Sequence, residues 1–211
     1  MKSNPSPTPI EADSARLRPA VFLDRDDTLI ANVPYLADPA LIRVLPGAAE
    51  AVASLNRAGF AVVLATNQSA VGRGLLTEDR LREIHDELNR LLAERGAALD
   101  AIHHCPHVPR GDDRAAVEFH DRKPGPGMLL RAASELGLDL DASWMVGDLI
   151  SDVLAGLNAG CRSILVGSNA TLDELPHPVE PGRALAAADL AAAAALILED
   201  RNPPPGGSAP C

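Results

Sequence analysis

Short apolar runs typical of β-strands alternate along this chain with segments that have the spacing of amphipathic helices. The strand-like runs are AVFLD at 20–24, FAVVLATN at 60–67, LDAIHHC at 99–105, SWMVGD at 143–148 and RSILVG at 162–167. Such alternation predicts right-handed βαβ units, in which helices cover both faces of a parallel sheet. We therefore predict a three-layer α/β fold of the Rossmann-like type.

The helical segments between these runs have recognisable starts and stops. One helix is predicted after Pro46-Gly47 through Arg57 and ends at Gly59, and two others are predicted at 127–136 and 151–160. The longest is predicted to begin after Thr77, a favourable N-cap residue, and to bury Leu81, Ile84, Leu88 and Leu91. We interpret GRGLLT at 72–77 as a turn and the Ala-rich segment 189–200 as a closing structural helix.

Composition limits the function classes. The formal net charge of −10 opposes binding to nucleic acid or to an anionic membrane surface. The longest apolar stretches fall short of the about 18 residues that a membrane span needs. Three cysteines without a disulfide-like spacing fit a reducing compartment, so we expect a cytosolic protein.

The chain length fits one domain. At 211 residues it is long enough to bury a substantial core, which only 2% aromatic residues leave to Ala, Val, Leu and Ile. The Pro- and Ser-rich residues 1–18 and the tail 201–211 have too little apolar content to fold, and we expect both to be disordered. A single monomeric domain over 19–200 is the resulting prediction.

Polar clusters follow three of the predicted strands. FLDRDDTL at 22–29 places Asp24, Asp26 and Asp27 directly after an apolar run, while Thr66 and Asp148 end two later strands. Two carboxylates about 4 Å apart repel by roughly 4 kcal/mol at an effective dielectric constant of about 20, so a cation or a proton should sit among them. Because the active crevice of such sheets lies beyond the carboxyl ends of the strands, we expect these clusters to converge there.

Structural interpretations of the same residues remain open. Asp24 and Asp26 could cap a turn, and Thr66 could be no more than a β-branched strand end. Asp152, one helical turn after Asp148, could lie on a solvated helix face.

Four segments together resemble the motifs of the haloacid dehalogenase (HAD) phosphatase superfamily. They are LDRDDTL at 23–29, LATN at 64–67, DRKPGPGML at 121–129 and VGDLISD at 146–152, in the order of that family. The resemblance implies a HAD-like fold with a minimal cap domain or none, and a Mg²⁺-dependent hydrolysis of phosphate monoesters.

The resemblance also implies a role for each motif. Asp24 would attack phosphorus and form an aspartyl-phosphate, and Asp26 would act as the general acid and base. Thr66 and Lys123 would hold the phosphoryl oxygens. The family holds Mg²⁺ between groups that here are Asp24, the backbone carbonyl of Asp26, and Asp148, with Asp152 near a water on the ion.

A narrower resemblance suggests the substrate class. FLDRDDTL, ATNQSAVGRG, CPH, RKPGPGML and MVGD are similar to segments of the D-glycero-D-manno-heptose 1,7-bisphosphate 7-phosphatases and of the histidinol-phosphate phosphatases. This implies a small phosphorylated metabolite, with the heptose bisphosphate as first choice and histidinol phosphate as the alternative. A non-catalytic phosphosugar-binding relative is the candidate from another class. The matching substrate contacts are Tyr35, Asn67, Gln68, Ser69 and Arg122, although Tyr35 could equally have a packing role.

The chain departs from this pattern at three places. Asp27 stands where the family usually has Gly, and Leu149 stands where the heptose enzymes often have Lys. The family's structural Zn²⁺ site is only half kept. Cys105 and His107 match it, whereas Phe119 and Asp121 occupy its two later cysteine positions. His120 and Asp121 could substitute as ligands, but loss of zinc is the expectation that we favour.

Overall fold

The computed structural model describes residues 17–167 and 170–201, so the predicted terminal segments lie almost wholly outside the described residues. Within these residues, six strands form one parallel sheet in the order β3-β2-β1-β4-β5-β6. The strands are β1 (Arg18–Leu23), β2 (Ala61–Asn67), β3 (Ala101–Cys105), β4 (Leu138–Gly147), β5 (Arg162–Val166) and β6 (Ala184–Ala187). The predicted parallel α/β sheet is confirmed.

Helices connect most of the strands. They are α1 (Ala48–Arg57), α2 (Ser69–Gly72), α3 (Glu78–Ala93), α4 (Gly127–Leu136), α5 (Ile150–Asn158) and α6 (Leu190–Arg201), with 3-10 turns at Pro39–Leu41 and Leu172–Glu174. The five longer helices lie where the sequence predicts them, whereas α2 and β6 were not predicted. In the part of the chain that the structure describes, no helix is long and apolar enough to cross a membrane.

The start and the buried face of helix α3 follow from its local sequence. The Thr77 hydroxyl accepts a hydrogen bond from the Arg80 backbone N–H at 3.1 Å, which caps the helix as predicted. The predicted face is buried at Leu81, Ile84 and Leu88, while Leu92 is fully buried at the last turn and Leu91 only partly.

Side chains of the sheet alternate between two apolar layers. Val21 and Leu23 of β1 pack in one cluster with residues of α1, α3 and α6. Ala20 and Phe22 point to the opposite face, where they pack with residues of α4. This period-two alternation, buried on both faces, explains why the strands read as continuous apolar runs.

The strand order reverses at β1, and this reversal positions the site. The chain builds β2 and β3 on one side of β1 and then returns to place β4 on the other side. In open parallel sheets such a reversal leaves a crevice beyond the carboxyl ends of the two strands. Asp24 follows β1 and Asp148 follows β4, so both lie at this crevice.

Candidate active site

Three carboxylates from separate segments meet at the crevice. Potential ligand atoms of Asp24, Asp148 and Asp152 all lie within 4.8 Å of one another, and the three residues are 7%, 5% and 1% exposed. Asp24 is held in place by its backbone N–H, which donates to the Val146 carbonyl at 2.9 Å. Asp152 is therefore not on a solvated helix face, and that alternative interpretation is wrong.

Lys123 is the buried cation of this cluster. Its Nζ lies 2.5 Å from Asp24 Oδ1 and 2.7 Å from Asp152 Oδ1. Burial by itself lowers the pKa of Lys123, but the carboxylates of Asp152 and Asp24 more than reverse this, so its pKa is raised. Burial raises the pKa of Asp152, with Lys123 acting in the opposite direction. Because the cluster has three carboxylates and one ammonium, which contacts Asp24 and Asp152, it keeps an excess of negative charge that a divalent cation can neutralise.

A glycine makes room for Asp152. A Cβ atom added to Gly147 would lie 2.4 Å from Asp152 Cβ, Cγ and Oδ2. Asp152 Oδ2 also accepts a hydrogen bond from the Leu149 backbone N–H at 3.0 Å, at the start of α5. The spacing in VGDLISD thus lets the carboxylate of Asp152 fold back over the end of β4.

Asn67 fixes the backbone of the lysine. Its Nδ2 donates to the Lys123 carbonyl and its Oδ1 accepts from the Lys123 N–H, both at 3.1 Å. A Cβ on Gly125 would lie 2.3 Å from the Phe119 carbonyl oxygen, so the RKPGPG segment is tightly folded. Asn67, predicted as a substrate contact, holds Lys123 in place and also borders the cavity described below.

Asp26, the predicted general acid, is partly buried and belongs to a network of hydrogen-bonded polar side chains. Arg25 Nη2 donates to Asp26 Oδ2 at 3.1 Å and to Gln68 Oε1 at 3.0 Å. Gln68 Nε2 donates to Asp26 Oδ2 at 3.2 Å and to Thr66 Oγ1 at 2.9 Å. Burial raises the pKa of Asp26 despite the nearby guanidinium of Arg25. Gln68, predicted to contact substrate, is buried and has its amide engaged by these neighbours.

Asp27 adopts the backbone conformation that explains the usual glycine at this position. Its φ is +55°, in the left-handed region that Gly enters most easily and Asp better than most residues. Its Oδ1 accepts from the Asn32 N–H at 3.1 Å and its Oδ2 from Asn32 Nδ2 at 3.3 Å. The turn therefore forms with Asp, whose charge is partly compensated by these donors.

A cavity of about 440 Å³ adjoins the carboxylate cluster. Asn67, Arg122, Lys123, Leu149 and Ser151 line one part of it, and several residues of segment 109–118 line the rest. Arg122 is steadied by a bond from Nη1 to the His107 carbonyl at 2.9 Å. Sequence reasoning missed Ser151 and segment 109–118. The sequence signal that could have identified segment 109–118 is its position between two motifs of the predicted site, CPH and RKPGPG.

Two other predicted contacts lie outside this cavity lining. Tyr35 is 55% exposed, with a φ of +51°, so the interpretation as a packing residue is not supported. Ser69 opens the short helix α2 and is partly exposed. Their roles in substrate binding stay predictions.

The residues considered as zinc ligands make contacts with other protein groups. Cys105 Sγ lies 3.4 Å from His107 Nδ1, and the His107 ring stacks on Phe119 with centroids 4.5 Å apart. Asp121 forms an ion pair with Arg131. Across residues 17–167 and 170–201, the only group of three or more potential ligands is the aspartate cluster. Cys105, His107, His120 and Asp121 therefore do not form a donor set that fits Zn²⁺.

Comparisons with known proteins agree with this geometry. A family model described as HAD-hydrolase-like matches residues 120–193. The chain is 38% identical to D-glycero-beta-D-manno-heptose-1,7-bisphosphate 7-phosphatase of Pasteurella multocida, over 75% of this chain and 86% of the relative. It is 40% identical to D-glycero-D-manno-heptose-1,7-bisphosphate 7-phosphatase of Thermosynechococcus vestitus, over 83% of this chain and 93% of the relative.

A solved structure shows the same fold. The D,D-heptose 1,7-bisphosphate phosphatase from B. bronchiseptica, complexed with magnesium and phosphate, matches with a TM-score of 0.74 and 37% identity. The match covers 86% of this chain and 99% of that one.

Proposed function

This chain belongs to the HAD-like hydrolases, in the group of the heptose-bisphosphate phosphatases, and from that membership we propose which phosphate ester it hydrolyses. It is a phosphoric monoester hydrolase, and the proposed substrate is D-glycero-D-manno-heptose 1,7-bisphosphate, with the 7-phosphate removed. The identity to the heptose-bisphosphate phosphatases supports the choice of substrate. The observation that carries the phosphatase chemistry is the buried cluster of Asp24, Asp148 and Asp152 with Lys123, at the crevice where the strand order reverses.

Magnesium fits the donor set of this cluster. Carboxylate and carbonyl oxygens are the ligands that this hard cation takes, and the three carboxylates supply the negative charge that it needs. Asp24, the backbone carbonyl of Asp26, and Asp148 would hold the ion, with Asp152 close by. When bound, Mg²⁺ supplies positive charge that stabilises the transferring phosphoryl group.

The chain's own residues supply the covalent chemistry. A carboxylate oxygen of Asp24 forms a bond to phosphorus while the bond from phosphorus to the sugar oxygen breaks, which gives an aspartyl-phosphate. Asp26 gives its proton to the departing sugar oxygen and then takes one from the attacking water. Hydrolysis of the aspartyl-phosphate releases inorganic phosphate and restores Asp24.

Burial and charge prepare these groups for their roles. The raised pKa of Asp26, caused mainly by burial, favours the protonated carboxyl that a general acid needs. Lys123 stays charged between two carboxylates, so with Thr66 it can hold the phosphoryl oxygens.

The cavity beside Lys123 would receive the rest of the substrate. Its volume of about 440 Å³ falls in the range of small-molecule sites. Arg122 and Arg114 line it, and Arg122, next to Lys123 in the chain, is the cation that we assign to a second phosphate.

One observation favours histidinol phosphate as a second candidate. The cavity wall carries Leu149 in place of a lysine, and its three acidic residues, Asp112, Asp113 and Glu118, outnumber its two arginines, Arg114 and Arg122. Acidic groups attract the ammonium of histidinol phosphate and repel a second phosphate.

Turnover of both compounds with Mg²⁺ tests the proposal. We expect phosphate release from the 1,7-bisphosphate, and a loss of at least about a thousandfold in kcat for Asp24→Asn. Asp79→Asn, on the exposed face of α3, is the matched control and should keep full activity.

Three outcomes would contradict different parts of the proposal: the substrate, the nucleophile and the catalytic activity itself. Release from histidinol phosphate alone would select the second candidate. Equal residual activity in wild type and Asp24→Asn would exclude the proposed nucleophile. Binding of either compound without turnover would indicate a non-catalytic phosphosugar-binding protein.

A further inference from the structure

Arg25 is a buried arginine inside the first catalytic motif. Its side chain is 3% exposed, although charged side chains are seldom this buried unless they are paired. Its backbone carbonyl accepts from the N–H groups of Leu29 and Ile30 at 3.0 Å and 2.9 Å, which closes the turn after β1. Because desolvating a guanidinium costs several kcal/mol, its partners define what it does.

The Arg25 guanidinium donates hydrogen bonds to the side chains of Asp26 and Gln68, which are also hydrogen-bonded to each other. Arg25 Nη2 contacts Asp26 Oδ2 at 3.1 Å and Gln68 Oε1 at 3.0 Å, and Gln68 Nε2 contacts the same Asp26 oxygen at 3.2 Å. The three side chains therefore form a closed triangle. Gln68 extends it to the phosphate-holding residue Thr66, whose Oγ1 accepts from Nε2 at 2.9 Å.

The two carboxylate oxygens of Asp26 differ in the hydrogen bonds that they accept. Oδ2 receives one donor from Arg25 and one from Gln68, whereas Oδ1 has only contacts of 3.3 Å and 3.4 Å from Arg25. Contacts of that length are at the weak end of hydrogen bonding. The Asp26 side chain is 25% exposed, so Oδ1 is the oxygen that is freer to exchange a proton with a bound molecule.

The Arg25 side chain does not link several parts of the fold through hydrogen bonds. Its Nη1 is buried, with no hydrogen-bond partner among the described residues. An arginine whose role is to link separate chain segments would be expected to donate hydrogen bonds from both terminal nitrogens. Each side-chain hydrogen bond found for Arg25 is made to Asp26 or to Gln68.

We propose that Arg25 and Gln68 are positioning residues that hold the Asp26 carboxyl beside Thr66, with Oδ1 directed to the leaving oxygen of the substrate. This inference rests on the proposed phosphatase function. It adds that the orientation of the proton donor depends on Arg25, a buried side chain to which the proposed reaction assigns no chemical step of its own. The bond from Gln68 to Thr66 ties that orientation to the position of the phosphoryl group.

The test compares leaving groups, because a phenolate leaves with little help from an acid and an alkoxide needs it. The variants are Arg25→Lys and Gln68→Met, assayed with the sugar phosphate and with p-nitrophenyl phosphate. General acid catalysis contributes about 100-fold or more. We expect kcat for the sugar phosphate to fall about 10- to 100-fold with KM within about twofold, and kcat for p-nitrophenyl phosphate to change less than about threefold.

A second comparison shows whether the effect passes through Asp26. In an Asp26→Asn background, adding Arg25→Lys should have no further effect on the sugar phosphate, because the positioned group is already absent. Arg43→Lys, whose exposed guanidinium bonds only to nearby backbone carbonyls, is the matched control and should behave as wild type.

Each outcome separates this inference from the proposed function. Equal losses on both substrates would show a merely structural role and overturn the inference, as would a gain on the sugar phosphate. Wild-type protein that hydrolyses neither substrate would instead overturn the proposed function. If Arg25→Lys does not fold, Gln68→Met decides alone, because it leaves the buried charge pair intact.

Discussion

Buried ionisable side chains shape this protein at the scale of single residues. Asp24, Lys123 and Asp152 are all nearly inaccessible, yet each has an oppositely charged partner within 2.7 Å. Pairing offsets the cost of desolvating each charge, and removing one partner would leave the others uncompensated. His85, on the inner face of α3, is a different case, because its Nε2 is buried with no hydrogen-bond partner among the described residues.

His85 makes stability depend on pH. Burial, with smaller contributions from Arg25 and His104, lowers its pKa from 6.5 to about 3. Between these two values the unfolded chain binds more protons than the folded one, so stability falls as the pH falls through this window. The slope reaches up to about 1.4 kcal/mol per pH unit between the two pKa values, is about half of that at pH 6.5, and fades as the pH rises further.

Denaturant unfolding at pH 7, 6 and 5 checks this prediction. His85→Leu is expected to reduce the slope over that range, because the unfolded variant lacks the imidazole that takes up this proton. His177→Leu, at an exposed position, is the control and should keep the wild-type slope. An unchanged slope in His85→Leu would contradict the assignment.

At the scale of elements, α5 is placed by two glycines. Gly147 makes room for the Asp152 side chain, as described above. At Gly156, a Cβ atom would lie 2.3 Å from Ser163 Oγ and 2.5 Å from Met145 Cβ, so α5 packs closely on β4 and β5. Close packing at Gly156 supports the fold, whereas the space at Gly147 serves the site.

Alanine at these two positions should separate stability from activity. Both substitutions overpack the interface, and we expect each to lower the free energy of unfolding by about 1–3 kcal/mol. Gly147→Ala displaces Asp152 and should also lower kcat by about 100-fold or more, because the charge arrangement at the reacting group changes. Thermal unfolding and steady-state kinetics on both variants check this, and a greater loss of kcat in Gly156→Ala would contradict it.

Elements with a strong local signal were predictable, and those that depend on neighbours were not. Helix α3 has a capping threonine and a long apolar period, and its start was predicted to the residue. Strand β6 is ALAA, which has weak β propensity, and it is a strand because it pairs with β5 from Ser163↔Ala184 onwards. Pairing of that kind is set by the sheet and leaves no periodic pattern in the sequence.

At the scale of the whole molecule, the site lies where several segments end at one rim of the sheet. If the aspartate cluster binds Mg²⁺ only when folded, the ion stabilises the whole chain by mass action. The single-domain boundaries, the monomeric state, the cytosolic location and the exclusion of nucleic acid stay predictions.

Magnesium should raise the melting temperature. At a concentration about 100 times its Kd, a ligand of the folded state adds about 2.7 kcal/mol of stability, and EDTA should reverse the shift. Asp148→Asn is expected to lose most of this effect, because it removes a charge that holds the ion. Thermal shift with MgCl₂, against NaCl at matched ionic strength, is the measurement. A wild-type melting temperature that does not respond to Mg²⁺ would contradict the proposed site.

The sequence by itself determined the alternation of strands and helices, the order of the motifs and the residue types that the chemistry needs. The alternation follows from local periodicity, the expectation of a bound cation from the repulsion within FLDRDDTL, and the motifs and their roles from the resemblance to the HAD phosphatases. Only the tertiary structure decided that Asp152 is buried against Lys123 and that Gln68 turns inward to Asp26 and Thr66. The reason is that the direction and burial of a side chain depend on contacts between residues far apart in the chain, which no local pattern contains.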